Sequence, residues 1–106
     1  MKRLAIPWLD ALGRVTRQSF PVLAGFVGIV GKRRHRFAVL RTPEGVTLTD
    51  ARSGRRFSQL MQSRGSPAKY RSWGRAMLRG VIRRHGVRRV NSALDRVASI
   101  ADRVTP

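Results

Sequence analysis

The stretch that decides the fold is SFPVLAGFVGIVGKRRHRFAVLRTPEGVTLTD, residues 19–50. Its first part, residues 19–31, carries no charge and is rich in Val, Ile and Phe, which favours a buried β-strand. Residues 37–41 and 46–49 supply two further strand signals, and Pro43 and Gly45 between them mark a tight turn. Strands joined by tight turns predict an antiparallel meander.

The meander continues toward the C-terminus. Residues 50–54 form another turn signal, and residues 55–59 have the composition of a short returning strand. We therefore predict three or four antiparallel strands over residues 19–60.

An N-terminal helix is predicted before the meander, within residues 1–18. Trp8, Leu9, Leu12 and Val15 repeat at helical spacing over residues 7–17, and Pro7 suits the first turn of a helix.

Two helices are predicted after the meander, as a helical hairpin over residues 66–105. Ser66 and Pro67 form a helix start signal, and Gly86 is a natural stop, so the first helix should run from Pro67 to about His85. A second amphipathic helix should begin at Val87. The whole chain of 106 residues is then a single small basic domain of the α+β class, with both helices packed on the sheet.

Positive charge is the dominant property of the composition. The chain has 23 Lys and Arg residues against five acids, a formal net charge of +18. Between Asp50 and Asp95 lie twelve basic residues and no acid. A field of one sign this strong is typical of proteins that bind a polyanion. A GC-rich genome would explain the preference for Arg over Lys, but it does not explain the missing acids.

One row of basic residues follows the first predicted helix at a spacing of four. We call this row the arginine ladder; it consists of Arg71, Arg75, Arg79 and Arg83. Like charges at this spacing destabilise a helix by about 0.2–0.5 kcal/mol per pair, and an anionic partner would offset that cost. Basic residues continue past the helix end, and five consecutive residues, 32–36, form a basic hairpin tip between two strands.

These patterns predict a nucleic-acid-binding protein that contacts the phosphate backbone of DNA or RNA, in packaging, in an architectural role or as a subunit of a nucleoprotein assembly. The candidate binding residues are Arg71, Arg75, Arg79, Arg83, Arg84, Arg88 and Arg89, followed by Lys32, Arg33, Arg34 and Arg36. A helix-turn-helix is a more specific form of this hypothesis, in which Arg88, Arg89, Asn91 and Ser92 would read bases.

Two alternatives of other classes remain open. The apolar segment 19–31 with its basic flanks would also suit a peripheral membrane or virion-type structural protein, with contact through Phe20, Phe26 and Ile29. The charge could instead dock onto an acidic protein partner. The second helix could also mediate self-association through an apolar seam, which consists of Val87, Val90, Leu94, Val97, Ala101 and Val104.

Catalysis finds little support in the sequence. The acids are dispersed, no phosphate-binding glycine loop precedes a helix, and the chain contains no cysteine. We therefore expect no enzyme activity, no cofactor and no metal site. Charged residues interrupt the apolar stretch near the N-terminus after only a few positions, which argues against a signal peptide. The cytoplasm or a nucleoprotein particle is the favoured location.

Overall fold

The computed structural model describes residues 2–9, 12–60 and 64–104. Five strands form one antiparallel sheet in chain order: β1 (Arg3–Leu9), β2 (Val15–Val30), β3 (Arg33–Thr42), β4 (Gly45–Asp50) and β5 (Arg56–Leu60). Two helices follow, α1 (Pro67–His85) and α2 (Val87–Val104). The chain is therefore α+β, with the strands first and the helices last.

The predicted N-terminal helix is wrong. Residues 3–9 form β1 and pair with residues 15–21 at the start of β2. Ile6 and Trp8 are both buried two positions apart, which is the periodicity of a strand. Gly13 adopts φ 78° between the two strands, a conformation that glycine takes without strain. The described sheet thus has five strands instead of three or four, and it begins at residue 3 rather than 19.

The first helix has the bounds that the sequence indicates. The Ser66 hydroxyl accepts a hydrogen bond from the backbone N–H of Lys69 at 3.3 Å, so it caps the start of α1. Gly86 follows the last residue of α1 at φ 85°, and its N–H donates to the Ile82 carbonyl. The prediction of a helix from Pro67 to His85 is confirmed, and α2 begins directly after this glycine.

The sheet buries apolar side chains on both of its faces. On β3, Phe37 and Val39 belong to a core beneath the two helices, whereas Ala38 and Leu40 belong to a second core. Since successive side chains of a strand point to opposite faces, the second core lies on the face away from the helices. Ile6 and Phe20 complete it there, so the β1–β2 hairpin covers part of the face that the helices leave open.

An irregularity in β2 lets a single strand serve both cores. Val22 pairs with Leu40 and Ala24 pairs with Val39, so Leu23 between them is an extra residue relative to β3. A β-bulge of this kind moves the following side chains to the other face. Val22 accordingly packs in the second core, whereas Ala24 lies in the core under the helices, although both have even numbers.

The sheet curls until its first strand reaches its last. The Arg56 guanidinium on β5 lies 4.3 Å from the centre of the Trp8 ring on β1. The turn between β4 and β5 also approaches β1, because a Cβ atom built on Gly54 would lie 2.6 Å from Pro7 Cδ. This curvature holds the hairpin against the sheet and leaves the helices on the other side.

Candidate nucleic-acid interface

Each described carboxylate is engaged within the fold. Asp95 binds Arg33, Glu44 binds Arg56, and Asp50 accepts hydrogen bonds from the backbone N–H and the hydroxyl of Ser53. Asp10 lies outside the described residues, and the side chain of Asp102 is not described. The three carboxylates that the structure describes therefore leave the basic residues of α1 without an acidic neighbour.

The arginine ladder divides into an inner and an outer part. Arg71 is half-buried, and its Nε donates to the Gly25 carbonyl on β2 at 3.3 Å. The Arg75 guanidinium lies 5.5 Å from the centre of the Phe26 ring, within the range of a cation–π contact. Arg79 and Arg83 are exposed, and no described carboxylate contacts them. The outer two arginines are therefore the ones most available to an external anion.

Helix packing explains why the outer arginines of the ladder face solvent. Gly74 and Leu78, four residues apart on α1, are both buried against the sheet. A Cβ atom built on Gly74 would lie 2.7 Å from Phe26 Cε1, so the helix backbone approaches the sheet as closely as glycine allows. Residues on the opposite side of the helix, including Arg79 and Arg83, must then face solvent.

The basic hairpin tip lies against the start of α2. A Cβ atom built on Gly31 would lie 2.6 Å from Val87 Cγ1. His35 Nε2 is 2.8 Å from Asn91 Oδ1, and Asn91 Nδ2 donates to the Val30 carbonyl at 3.2 Å. The structure thus brings the tip and the helix junction, which are distant in sequence, to one end of the molecule.

Arg33 has a structural partner. Its guanidinium donates two hydrogen bonds to the Asp95 carboxylate on α2, at 2.8 and 2.9 Å. These hydrogen bonds lower the pKa of the Asp95 carboxyl below its usual value, and the attraction of the Arg33 charge adds to the effect. Among the predicted tip residues, Arg33 therefore fastens α2 to the sheet.

The remaining tip arginines point away from the helices. His35 and Phe37 face the helices, so Arg34 and Arg36, which alternate with them on β3, lie on the other face of the sheet. Both are exposed and pair with Ile29 and Val27 of β2. The predicted site is consequently divided between two basic surfaces, one on the helices and one on the opposite face of the sheet.

Asn91 limits the helix-turn-helix hypothesis. The contacts with Val30 and His35 use both ends of its amide, so this side chain is tied to the sheet. Val90 and Leu94 are buried in the core under the helices. Within the described part of α2, the predicted base-reading residues that remain exposed are Arg88, Arg89 and Ser92.

The apolar residues predicted for other contacts are mostly internal. Phe20 and Phe26, predicted for membrane contact, are buried on opposite faces of the sheet, while Ile29 is 60% exposed. In the predicted self-association seam, Val90 and Leu94 belong to the chain's own core, and Val87 packs beside Gly31. The side chains of Val97, Ala101 and Val104 lie outside the described part.

Sequence reasoning missed a cleft between β5 and the helix junction. It has a volume of about 540 Å³, and arginines from β5 and α2 line it together with Phe57. The lining residues come from three separate segments of the chain. The one hint in the sequence was the two-residue spacing of Arg55 and Phe57 in the strand predicted over residues 55–59.

Comparisons with protein-family models, curated proteins and solved structures find no significant match to this chain. Neither of the helices formed by the described residues has the length and hydropathy that a membrane span requires. In residues 2–9, 12–60 and 64–104, no three His, Asp or Glu side chains converge to form a metal site.

Proposed function

We propose that this protein binds nucleic acid, mainly through phosphate contacts made by the exposed arginines of α1 and of the helix junction. The observation that carries the proposal is the exposed row of Arg79, Arg83 and Arg84, which has no described carboxylate beside it. The described acids are used to hold elements of the fold together instead. Nucleic acid supplies phosphates at regular spacing, and their neutralisation releases counter-ions, which favours binding.

The geometry of the ladder supports a backbone-directed mode of binding. Successive ladder residues are about 6 Å apart along the helix axis, since each residue rises 1.5 Å. Arginine can donate two parallel hydrogen bonds to one phosphate. The proposed role of these side chains is to position the polymer rather than to read its sequence.

The salt dependence of binding tests the proposal. For wild type, the affinity for duplex DNA should fall steeply as salt rises. Replacing Arg79 and Arg83 by Gln should reduce the slope of log affinity against log salt by about 2, because each lost phosphate contact removes about 0.9 from it. These two residues are preferable to Arg75, whose side chain packs on Phe26.

The matched control removes the same charge from another part of the molecule. Arg14 and Arg17 are exposed on the β1–β2 hairpin, and the double change to Gln there leaves α1 untouched. The control should keep nearly the wild-type slope. If the slope falls by the same amount in the two variants, binding depends on the net charge alone. Absence of binding to duplex and single strands at low salt would refute the proposed function and favour an acidic protein partner.

A second candidate function rests on the sheet face away from the helices. Val27 and Ile29 are half or more exposed there, and they pair with Arg36 and Arg34. Apolar side chains beside cations suit a surface of anionic lipids. Flotation with vesicles containing phosphatidylserine tests this function. Binding that is lost after Ile29→Ser, while DNA binding persists, would assign this face to membranes.

A further inference from the structure

The cleft beneath the helix junction combines basic and apolar walls. Its outer part carries exposed cationic side chains from two segments, Arg55 immediately before β5 and Arg88 and Arg89 at the start of α2. Its inner part is formed by half-buried or buried apolar side chains, which are Phe57, Val81, Val90 and Ala93. Within the described residues, the lining includes no acid.

The positions of these arginines are unfavourable in the isolated protein. Arg88 and Arg89 lie in the first turn of α2, where the helix dipole disfavours positive charge. Arg55 and Arg56 add positive charge from a second segment of the lining; Arg56 is paired with Glu44, whereas the Arg55 guanidinium lies 6.0 Å from the Phe57 ring centre. An anion in the cleft would relieve both the dipole effect and the mutual repulsion.

A simple inorganic anion does not match the whole cleft. A volume of about 540 Å³ is in the range of pockets that hold a small organic ligand. The apolar wall would gain nothing from phosphate alone, but it offers the Phe57 ring, which stands edge-on to Phe37 at 5.9 Å. A flat aromatic base attached to a phosphate uses both walls.

We infer that this cleft binds one unpaired nucleotide of a single-stranded nucleic acid, with its base against Phe57 and its phosphates at Arg88 and Arg89. The inference rests on the proposed nucleic-acid binding and specifies the form of the polymer. A base inside a duplex is stacked and paired, so it cannot enter the cleft without leaving the stack. The protein should accordingly prefer single strands or unpaired ends over continuous duplex.

The test compares strands of equal charge with and without bases. An oligothymidine of about twelve nucleotides and an abasic strand of the same length are titrated at the same salt concentration. We expect the strand with bases to bind about tenfold more tightly, since stacking of one base contributes roughly that factor. Equal affinities of the two strands would overturn the inference and leave the proposed function standing. No binding of either strand or of duplex would overturn both.

Two variants test whether the preference for the strand with bases arises in the cleft. Filling the inner cleft by Ala93→Leu should remove the tenfold preference and leave the affinity for the abasic strand unchanged. The double substitution Arg79→Gln and Arg83→Gln should lower the affinity for both strands by the same factor. It should keep the preference for the strand with bases, because these residues lie outside the cleft. A tenfold preference that survives Ala93→Leu in a folded protein would place the base elsewhere and overturn the assignment.

Photo-crosslinking provides a readout that does not depend on a folded variant. A strand that contains 5-iodouracil should crosslink wild-type protein at Phe57. Crosslinking at Trp73, a partly buried aromatic of α1 that does not line the cleft, would place the base elsewhere and overturn the assignment to the cleft. An acidic peptide of the same charge should compete no better than the abasic strand; stronger competition would assign the cleft to a protein partner.

Discussion

Two glycines of α1 provide a matched pair for testing how this helix is seated on the sheet. A Cβ atom built on Gly74 would lie 2.7 Å from Phe26 Cε1 and 3.2 Å from Val39 Cγ2. No heavy atom outside the immediate helix lies within 4 Å of the corresponding position at Gly80. The substitution to Ala is chemically the same at both sites, so the difference between them reports the contact with the sheet.

The expected magnitudes follow from helix propensity and packing. Replacing an interior helical Gly by Ala stabilises a helix by about 0.8–1.0 kcal/mol. Gly80→Ala should raise the free energy of unfolding by this whole amount. At Gly74 the same gain is offset by overpacking, which costs about 1–3 kcal/mol. Phe26 cannot move aside easily, because Phe37 stacks on it at 5.5 Å and Arg75 lies over it. Gly74→Ala should therefore be neutral or destabilising by up to about 2 kcal/mol.

Urea unfolding followed by far-ultraviolet circular dichroism measures both effects at one fixed ionic strength. The Gly80 variant should also melt about 4–8 °C higher than wild type, whereas the Gly74 variant should not. Equal stabilisation by the two substitutions would show that α1 does not press this face on the sheet. The outward direction of the arginine ladder would then lose its structural basis.

Two further predictions concern the attachment of α2 to the hairpin tip. Asp95 should titrate below the usual Asp pKa in carboxyl-detected NMR, and Arg33→Gln should return its midpoint toward the usual value. Because the folded-state pKa is lowered, the contribution of this pair is present above the unfolded pKa and is lost as pH falls through the folded one. Asn91→Ala should cost about 1–3 kcal/mol in urea unfolding, since it leaves the Val30 carbonyl and His35 without their partner. Exposed Ser92→Ala is the control and should change stability by less than about 0.5 kcal/mol.

The wrongly predicted N-terminal helix shows that a short apolar pattern can fit both the helical and the strand periodicity. Trp8, Leu12 and Val15 fit a helix, but Ile6 and Trp8 also fit a strand, and only pairing with β2 decides between them. Trp8 is buried, but Leu12 is 75% exposed and Val15 is 48% exposed, so the residues of the predicted apolar face are not buried together. The one local signal for the correct answer was Gly13, which is unfavourable in a helix and suits the turn.

The second core could not be predicted from sequence periodicity either. Phe20, Val22, Ala24 and Phe26 share one face in any regular strand, and the sequence contains no marker for the bulge at Leu23. The bulge is fixed by tertiary packing, which requires Val22 beside Leu40 and Ala24 beside Val39. By contrast, Ser66, Pro67 and Gly86 act through local backbone chemistry, and the first helix could therefore be predicted closely.

The candidate site was predictable as a set of charges but not as a surface. Spacing by four places the ladder on one side of α1, yet it cannot show that Arg71 turns inward to the Gly25 carbonyl. Nor can spacing show that Arg33 is held by Asp95, 62 residues away. The cleft depends on contacts between three segments, and such contacts arise only when the sheet and both helices have packed.

The distribution of acids supports the proposal that the unbalanced charge serves binding. Codon bias toward arginine would replace lysines, but it would not remove acids from the exposed side of α1. Two of the described acids, Glu44 and Asp95, occur where a carboxylate joins separate segments of the chain, at Arg56 and at Arg33. A helix selected only for stability would gain about 0.2–0.5 kcal/mol for each glutamate placed four residues from an arginine. The described part of α1 contains no such pair, so this surface lacks that stabilisation; the proposed binding of an external polyanion would account for it.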